Sequence, residues 1–117
     1  MNNSIKSIEL AVVCPIFNEE KNITLVVDEW IPVLRSVVGE SKFQLCIYSD
    51  GSTDGTNNIL KLLQAKYSEL HVVLKNNTGH GHTCVVGYKD TIQKFRPEWI
   101  FQMDSDGQCD PKFFKQF

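Results

Sequence analysis

Short aliphatic runs alternate with longer stretches of helical periodicity, and that alternation leaves the chain few architectures to choose from. Ile8-Glu9-Leu10-Ala11-Val12-Val13-Cys14 is too short for a typical helix, is rich in Val, Ile and Leu, and is stopped by Pro15, so it reads as a buried strand. From Asn22 to about Val38 the apolar residues Ile23, Val26, Val27, Trp30, Ile31, Leu34 and Val38 return at helical spacing. Gly39 then stands where a helix ends, and Pro32 is expected to kink this helix or divide it in two. The unit repeats. Phe43 to Tyr48 is a second strand, and the helix after it puts Ile59, Leu62, Leu63 and Tyr67 on one face. Leu70 to Leu74 is a third strand, Thr83 to about Phe95 a third helix, and Trp99 to Met103 a fourth strand. Strands separated by helices pair in parallel through right-handed crossovers. The fold class expected is α/β, an open and mainly parallel sheet with flanking helices.

The polar residues gather just after these strands, where ligands bind in parallel α/β sheets. Pro15-Ile16-Phe17-Asn18-Glu19-Glu20 follows the first strand, and Ser49-Asp50-Gly51-Ser52-Thr53-Asp54-Gly55-Thr56 closes the second. Asn76-Asn77-Thr78-Gly79-His80-Gly81-His82 follows the third, and Asp104-Ser105-Asp106-Gly107-Gln108 the fourth. Taken singly, each has an ordinary structural explanation. Asp54 or Ser52 would cap the second helix, and Asn18 or Asn22 the first. His80 and His82 lack further ligands nearby. Gly79-His80-Gly81 lacks the third glycine of a dinucleotide fingerprint and follows the third strand, whereas that fingerprint follows the first. Asp104 and Asp106 are more informative, because two carboxylates one residue apart at a strand end can share one hard divalent cation that also takes phosphate oxygens.

Composition removes several classes of function. With 42% hydrophobic residues and 22% charged, the chain has enough apolar side chain to fold. A formal net charge of −2 leaves no basic surplus for nucleic acid, so no nucleic-acid partner is expected. No run approaches the roughly 18 apolar residues that span a bilayer. The N-terminus lacks the basic and apolar blocks of a signal peptide. Cys14, Cys46, Cys84 and Cys109 form no CxxC pair, so reduced cysteines in a cytoplasmic protein are expected. The 117 residues read as a single domain, and Phe113, Phe114 and Phe117 look like the opening of a further helix, as in a truncated protein. A four-stranded open sheet also leaves an edge to cover, which further chain or a homo-oligomer would do.

Four ordered segments, Cys14-Pro15-Ile16-Phe17-Asn18-Glu19-Glu20, Ser49 to Thr56, Asn77-x-Gly79-x-Gly81 and Met103-Asp104-Ser105-Asp106-Gly107-Gln108, together resemble the signatures of family 2 glycosyltransferases of the GT-A fold. The D-x-D-x-Q ending is most similar to that of the polyprenyl-phosphate (dolichol-phosphate mannosyl and glucosyl) transferases. The resemblance covers about residues 8 to 112 and implies the nucleotide-binding half of such an enzyme. It implies that Pro15, Phe17 and Glu19 line a base and ribose pocket, that Tyr48 and Asp50 contact the base, and that Asp104 and Ser105 face the ribose and diphosphate. It implies Asp104 and Asp106 as catalytic residues, with Asp106 and Gln108 holding Mg²⁺ or Mn²⁺. The donor would be a UDP- or GDP-linked sugar and the acceptor a polyprenyl phosphate or glycan, at the cytoplasmic face of a membrane that a C-terminal part would contact. Phe17 stands where the family usually has Tyr, Ser49 replaces the first of two adjacent aspartates, and His80 occupies a place where Lys or Arg is frequent.

Two other readings belong to different classes. One is a non-catalytic nucleotide-binding unit that lacks an acceptor half. The other is a haloacid dehalogenase-type phosphatase, whose D-x-D-x-T/V motif would need Thr or Val where Gln108 stands, and would follow the first catalytic strand rather than the fourth.

Overall fold

A computed structural model describes residues 7–104 of the chain. Ser105, Asp106, Gln108, Cys109 and the three terminal phenylalanines lie outside the described residues. The elements are β1 (Leu10–Ile16), α1 (Ile23–Val37), β2 (Phe43–Asp50), α2 (Thr56–Lys66), β3 (Leu70–Lys75), α3 (His80–Phe95) and β4 (Trp99–Gln102). The strands form one sheet in the order β3-β2-β1-β4, parallel at each pairing.

Strand order explains where the helices lie. From β1 to β2 to β3 the chain steps in one direction, so right-handed crossovers carry α1 and α2 to the same face. From β3 it returns past β2 and β1 to β4, and the reversed direction sends α3 to the opposite face. The core is split accordingly. Leu10, Val12, Cys14 and Ile16 of β1, with Leu45 and Ile47 of β2, point toward α1 and α2 and pack with Ile23, Val27, Trp30, Ile31, Leu34, Leu60 and Leu63. The alternate residues Val13, Cys46 and Tyr48 point toward α3 and form a much smaller cluster with Val73, Tyr88 and Phe95. Gly87 permits the close approach of α3. A Cβ at that position would stand 2.6 Å from Val13 Cγ1 and 3.0 Å from Tyr48 Cε2.

Several expectations from the sequence need adjustment. β1 starts later than expected and runs through Pro15 to Ile16. Pairing with β4 ends at Val13, so Pro15 lies where β1 has a strand neighbour on the β2 side only, which suits a residue without an N–H. Pro32 does not divide the first helix, since α1 is one helix of 15 residues. On α2 the buried positions are Thr56, Leu60 and Leu63, with Ile59 packed against the core, while Leu62 is 74% exposed. Leu62 lies about 200° around the helix from Leu60 and so faces solvent. α3 begins at His80, ahead of the expected Thr83. Gly39 does take the left-handed backbone (φ +116°) just past the end of α1. Cys14, Cys46 and Cys84 are buried.

No described helix is long and apolar enough to cross a membrane.

Candidate functional site

Reversal of strand order between β1 and β4 opens a crevice at the carboxyl ends of the strands. A cleft of about 500 Å³ occupies this position, lined by Pro15, Ile16, Phe17, Glu19, Asp50, Asn77, Gly79, His80 and Asp104. Pro15, Phe17, Glu19, Asp50 and Asp104, each singled out in the sequence, therefore meet at one place. The walls differ in character. Pro15, Ile16 and the half-exposed ring of Phe17 present an apolar surface, while Glu19, Asp50 and Asp104 present carboxylates.

The wall that carries Phe17 and Glu19 is fixed by hydrogen bonds to the loop after β2. Asn18 sits in the left-handed region (φ 52°), which Asn tolerates better than most residues. Its Oδ1 accepts the backbone N–H groups of Thr53 (2.7 Å) and Asp54 (3.3 Å). The backbone N–H groups of Asn18 and Glu19 donate to the Ser52 and Thr56 hydroxyls at 3.0 and 2.9 Å. Asn18 therefore ties two loops together and does not cap α1. Asn22 stands at the N-cap position of α1 but makes no capping bond, and its Nδ2 donates to Glu19 Oε1. Asp54 serves the start of α2, with Oδ1 accepting the Thr56 N–H at 2.9 Å.

Asp50 forms the floor of the cleft and is the most constrained carboxylate in it. Its Oδ1 accepts from Lys75 Nζ and from the Thr78 N–H, both at 2.8 Å, and its Oδ2 accepts from the Gly79 N–H at 3.0 Å. Burial alone would raise its pKa, but the Lys75 ammonium and the Thr78 N–H outweigh that cost and hold it down to about 2. The carboxylate is thus charged at neutral pH although its side chain is only 7% exposed. Gly51, next in the chain, takes φ +72°, and a Cβ there would stand 2.7 Å from the Asn77 backbone nitrogen. Asn77 in turn donates from Nδ2 to the Asp50 carbonyl at 2.9 Å. The turn after β2 and the loop after β3 are in this way packed into one unit.

Asp104 and His80 face each other across the cleft mouth, with His80 Nε2 3.8 Å from Asp104 Oδ1. The N-terminus of α3 opens beside them, and its amides favour an anion. Against that, the lining carboxylates Glu19, Asp50 and Asp104 outnumber the neighbouring Lys75 ammonium. An anionic ligand would therefore need a cation to accompany it. Among the described residues no group of three or more His, Cys, Asp or Glu converges as a metal site. The carboxylates available from the described part are those of the cleft itself, and the expected ligands Asp106 and Gln108 lie outside it, as does Ser105.

One sequence expectation is corrected. Tyr48 does not reach the cleft: it shares the α3 face of β2 with Asp50 but lies two residues further from the carboxyl end of the strand, where its ring is fully buried beneath α3. Its hydroxyl donates to Asp90 Oδ2 at 2.8 Å, and Asp90 Oδ2 also lies 2.9 Å from His71 Nε2. Conversely, Ile16, Asn77, Gly79 and His80 line the cleft without having been assigned there, and Lys75, just past the expected third strand, had been given no role. A lone Lys closing an apolar strand beside a buried Asp was the available signal for Lys75.

Comparisons with known proteins bear on the family and the fold. Residues 11–117 match the family described as Glycosyl transferase family 2. A dodecaprenyl-phosphate galacturonate synthase of Rhizobium johnstonii is 34% identical over 113 residues, which is 95% of this chain and 32% of the relative. A dolichyl-phosphate beta-glucosyltransferase of Trichomonas vaginalis is 28% identical over 86% of this chain and 31% of its own length. The chain thus spans about a third of the length of these relatives. Among solved structures, residues 1–349 of S. aureus TarS in complex with UDP-GlcNAc superpose with a TM-score of 0.70 at 26% identity, over 93% of this chain and 30% of that one. The mannosyltransferase PcManGT of Pyrobaculum calidifontis, in complex with GDP-Man and Mn²⁺, shares the fold with a TM-score of 0.58 at 20% identity, over 72% of this chain and 24% of its own.

Proposed function

Because the chain belongs to glycosyl transferase family 2, we propose that its cleft holds the nucleoside-diphosphate donor of an inverting glycosyltransferase, with a polyprenyl phosphate or glycan as acceptor. The observation that carries this reading is a buried, charged Asp50 on the floor of a half-apolar cleft at the strand-order reversal. A flat heterocycle fits against Phe17 and Pro15 while Asp50 accepts a ring N–H, and the ribose and diphosphate extend toward Glu19, Asp104 and the start of α3. Asp106 and Gln108 are the residues that would hold Mg²⁺ or Mn²⁺. When bound, the cation neutralises charge that develops on the nucleoside-diphosphate leaving group. The chain's own residues bind and orient the donor so that an acceptor oxygen can attack the anomeric carbon as its bond to the diphosphate breaks. A polyprenyl phosphate is already ionised and needs no base to remove a proton. The relatives named for dodecaprenyl and dolichyl phosphates favour that acceptor, and a lipid phosphate would be met at a membrane face.

Calorimetric titration with UDP and GDP, each with and without Mn²⁺, tests the reading. One of the two is expected to bind in a Mn²⁺-dependent way, and Asp106→Asn to remove that dependence. Asp50→Ala should weaken the nucleotide at least tenfold, and by far more than it weakens pyrophosphate. Failure of a folded chain to bind either nucleotide would overturn it.

A further inference from the structure

The ammonium of Lys75 is engaged by more of its surroundings than any other cation among the described residues. Nζ donates to Asp50 Oδ1 at 2.8 Å, to the Asn76 carbonyl at 2.7 Å, to the Thr78 hydroxyl at 2.6 Å and to the Thr83 hydroxyl at 3.1 Å. These partners belong to the end of β2, the loop after β3 and the first turn of α3. The Lys75 side chain is only 13% exposed and that of Asp50 only 7%. A buried pair with its remaining lone pairs satisfied holds a fixed geometry, and removal of one partner leaves an uncompensated charge.

From this geometry we infer that Lys75 is a positioning residue of the nucleotide cleft: it occupies Asp50 Oδ1 and clamps the loop after β3 and the start of α3 around that carboxylate. The inference rests on the nucleotide reading of the cleft for its consequence, but the clamp is a property of the chain by itself. Oδ1 accepts from Lys75 and the Thr78 N–H, Oδ2 accepts from the Gly79 N–H, and the Thr83 hydroxyl also stabilises this carboxylate. Gly79 and His80, which line the cleft, follow directly in the clamped loop. Loss of the ammonium should therefore both discharge Asp50 more easily and release those residues.

Among the described residues, the other titratable groups of the cleft are Glu19 from the loop after β1, His80 at the start of α3 and Asp104 after β4, and His82 Nδ1 lies 2.7 Å from the Thr78 hydroxyl. All four persist in a Lys75 variant, so a difference between variant and parent reports on Lys75.

The test combines two measurements on Lys75→Met and Lys75→Arg. Carboxyl ¹³C shifts of Asp50 followed against pH should give a parent midpoint near the value of about 2. In Lys75→Met the midpoint should rise by roughly two pH units, with the Thr78 and Gly79 amide signals displaced. UDP or GDP, whichever the parent binds, should lose at least tenfold in affinity at pH 7 in Lys75→Met and recover most of it in Lys75→Arg. If the parent binds neither nucleotide while the carboxyl and amide shifts move as stated, the nucleotide reading falls and the clamp stands. An Asp50 midpoint near 4 in the parent overturns the clamp, even should Lys75→Met fail to fold. Unmoved amide signals with unchanged affinity in a folded Lys75→Met overturn it as well.

Discussion

The two faces of the sheet are built from the same strands by opposite means. Toward α1 and α2, β1 and β2 present aliphatic side chains to an apolar layer in which Trp30, Leu34 and Leu60 are almost fully buried. Toward α3 the apolar cluster is small, and Tyr48, His71, Asp90 and Lys94 form a polar network beneath the helix. Burial works against the charge of Asp90, but His71, Tyr48 and Lys94 together keep its carboxyl below the usual carboxylate range. The α1/α2 face derives its stability from apolar area removed from water. The α3 face depends on satisfied polar groups, and it leads directly into the Lys75–Asp50 pair and the cleft. Stability and ligand chemistry are thus concentrated on different sides of one sheet.

This contrast can be broken most severely on the apolar side. Trp30→Ala empties the largest buried side chain of that layer, which also lies 6.1 Å from the Phe101 ring, and is expected to cost about 3–5 kcal/mol in urea denaturation. A loss below about 1 kcal/mol would mean that the layer is not the main source of stability. Tyr48→Phe probes the other side. It removes one hydrogen bond to a charged carboxylate and should cost about 1.5–3 kcal/mol, while nucleotide affinity changes less than twofold. A loss of affinity comparable to that of Asp50→Ala would return Tyr48 to the base pocket. Leu62→Lys, on the solvent side of α2, should fall within about 0.5 kcal/mol of the parent. A larger loss would restore Leu62 to the buried face.

How much of this was legible beforehand follows from the same contrast. Helical and strand periodicities reflect burial of apolar area, so the order of elements and most of the α1/α2 core could be read directly from the sequence. Leu62 was misplaced because Leu62 and Leu63 are adjacent on a helix, and hydrophobicity alone does not say which of the two faces inward. Pro15 looked like a strand terminator because the sequence does not reveal that β1 there has a strand neighbour on one side only. At the site, Pro15, Phe17, Glu19, Asp50 and Asp104 could be singled out because each follows or closes a strand, where parallel sheets bind ligands. Tyr48 went wrong in depth rather than in face, since it shares a face of β2 with Asp50 but lies two residues back from the strand end, under α3. Lys75 and Asn77 escaped because their roles depend on contacts to Asp50 across 25 and 27 residues of chain.

The central claim is that the cleft at the β1/β4 reversal, with Asp50 on its floor, is where the nucleotide binds. Amide chemical-shift mapping of the isotope-labelled chain during titration with UDP and then GDP, in the presence of Mg²⁺, tests it most directly. Shifts concentrated at Ile16, Phe17, Glu19, Asp50, Asn77, Gly79, His80 and Asp104 are the predicted result. Shifts centred on His71 and Asp90, or on the outer surfaces of α1 and α2, would contradict it.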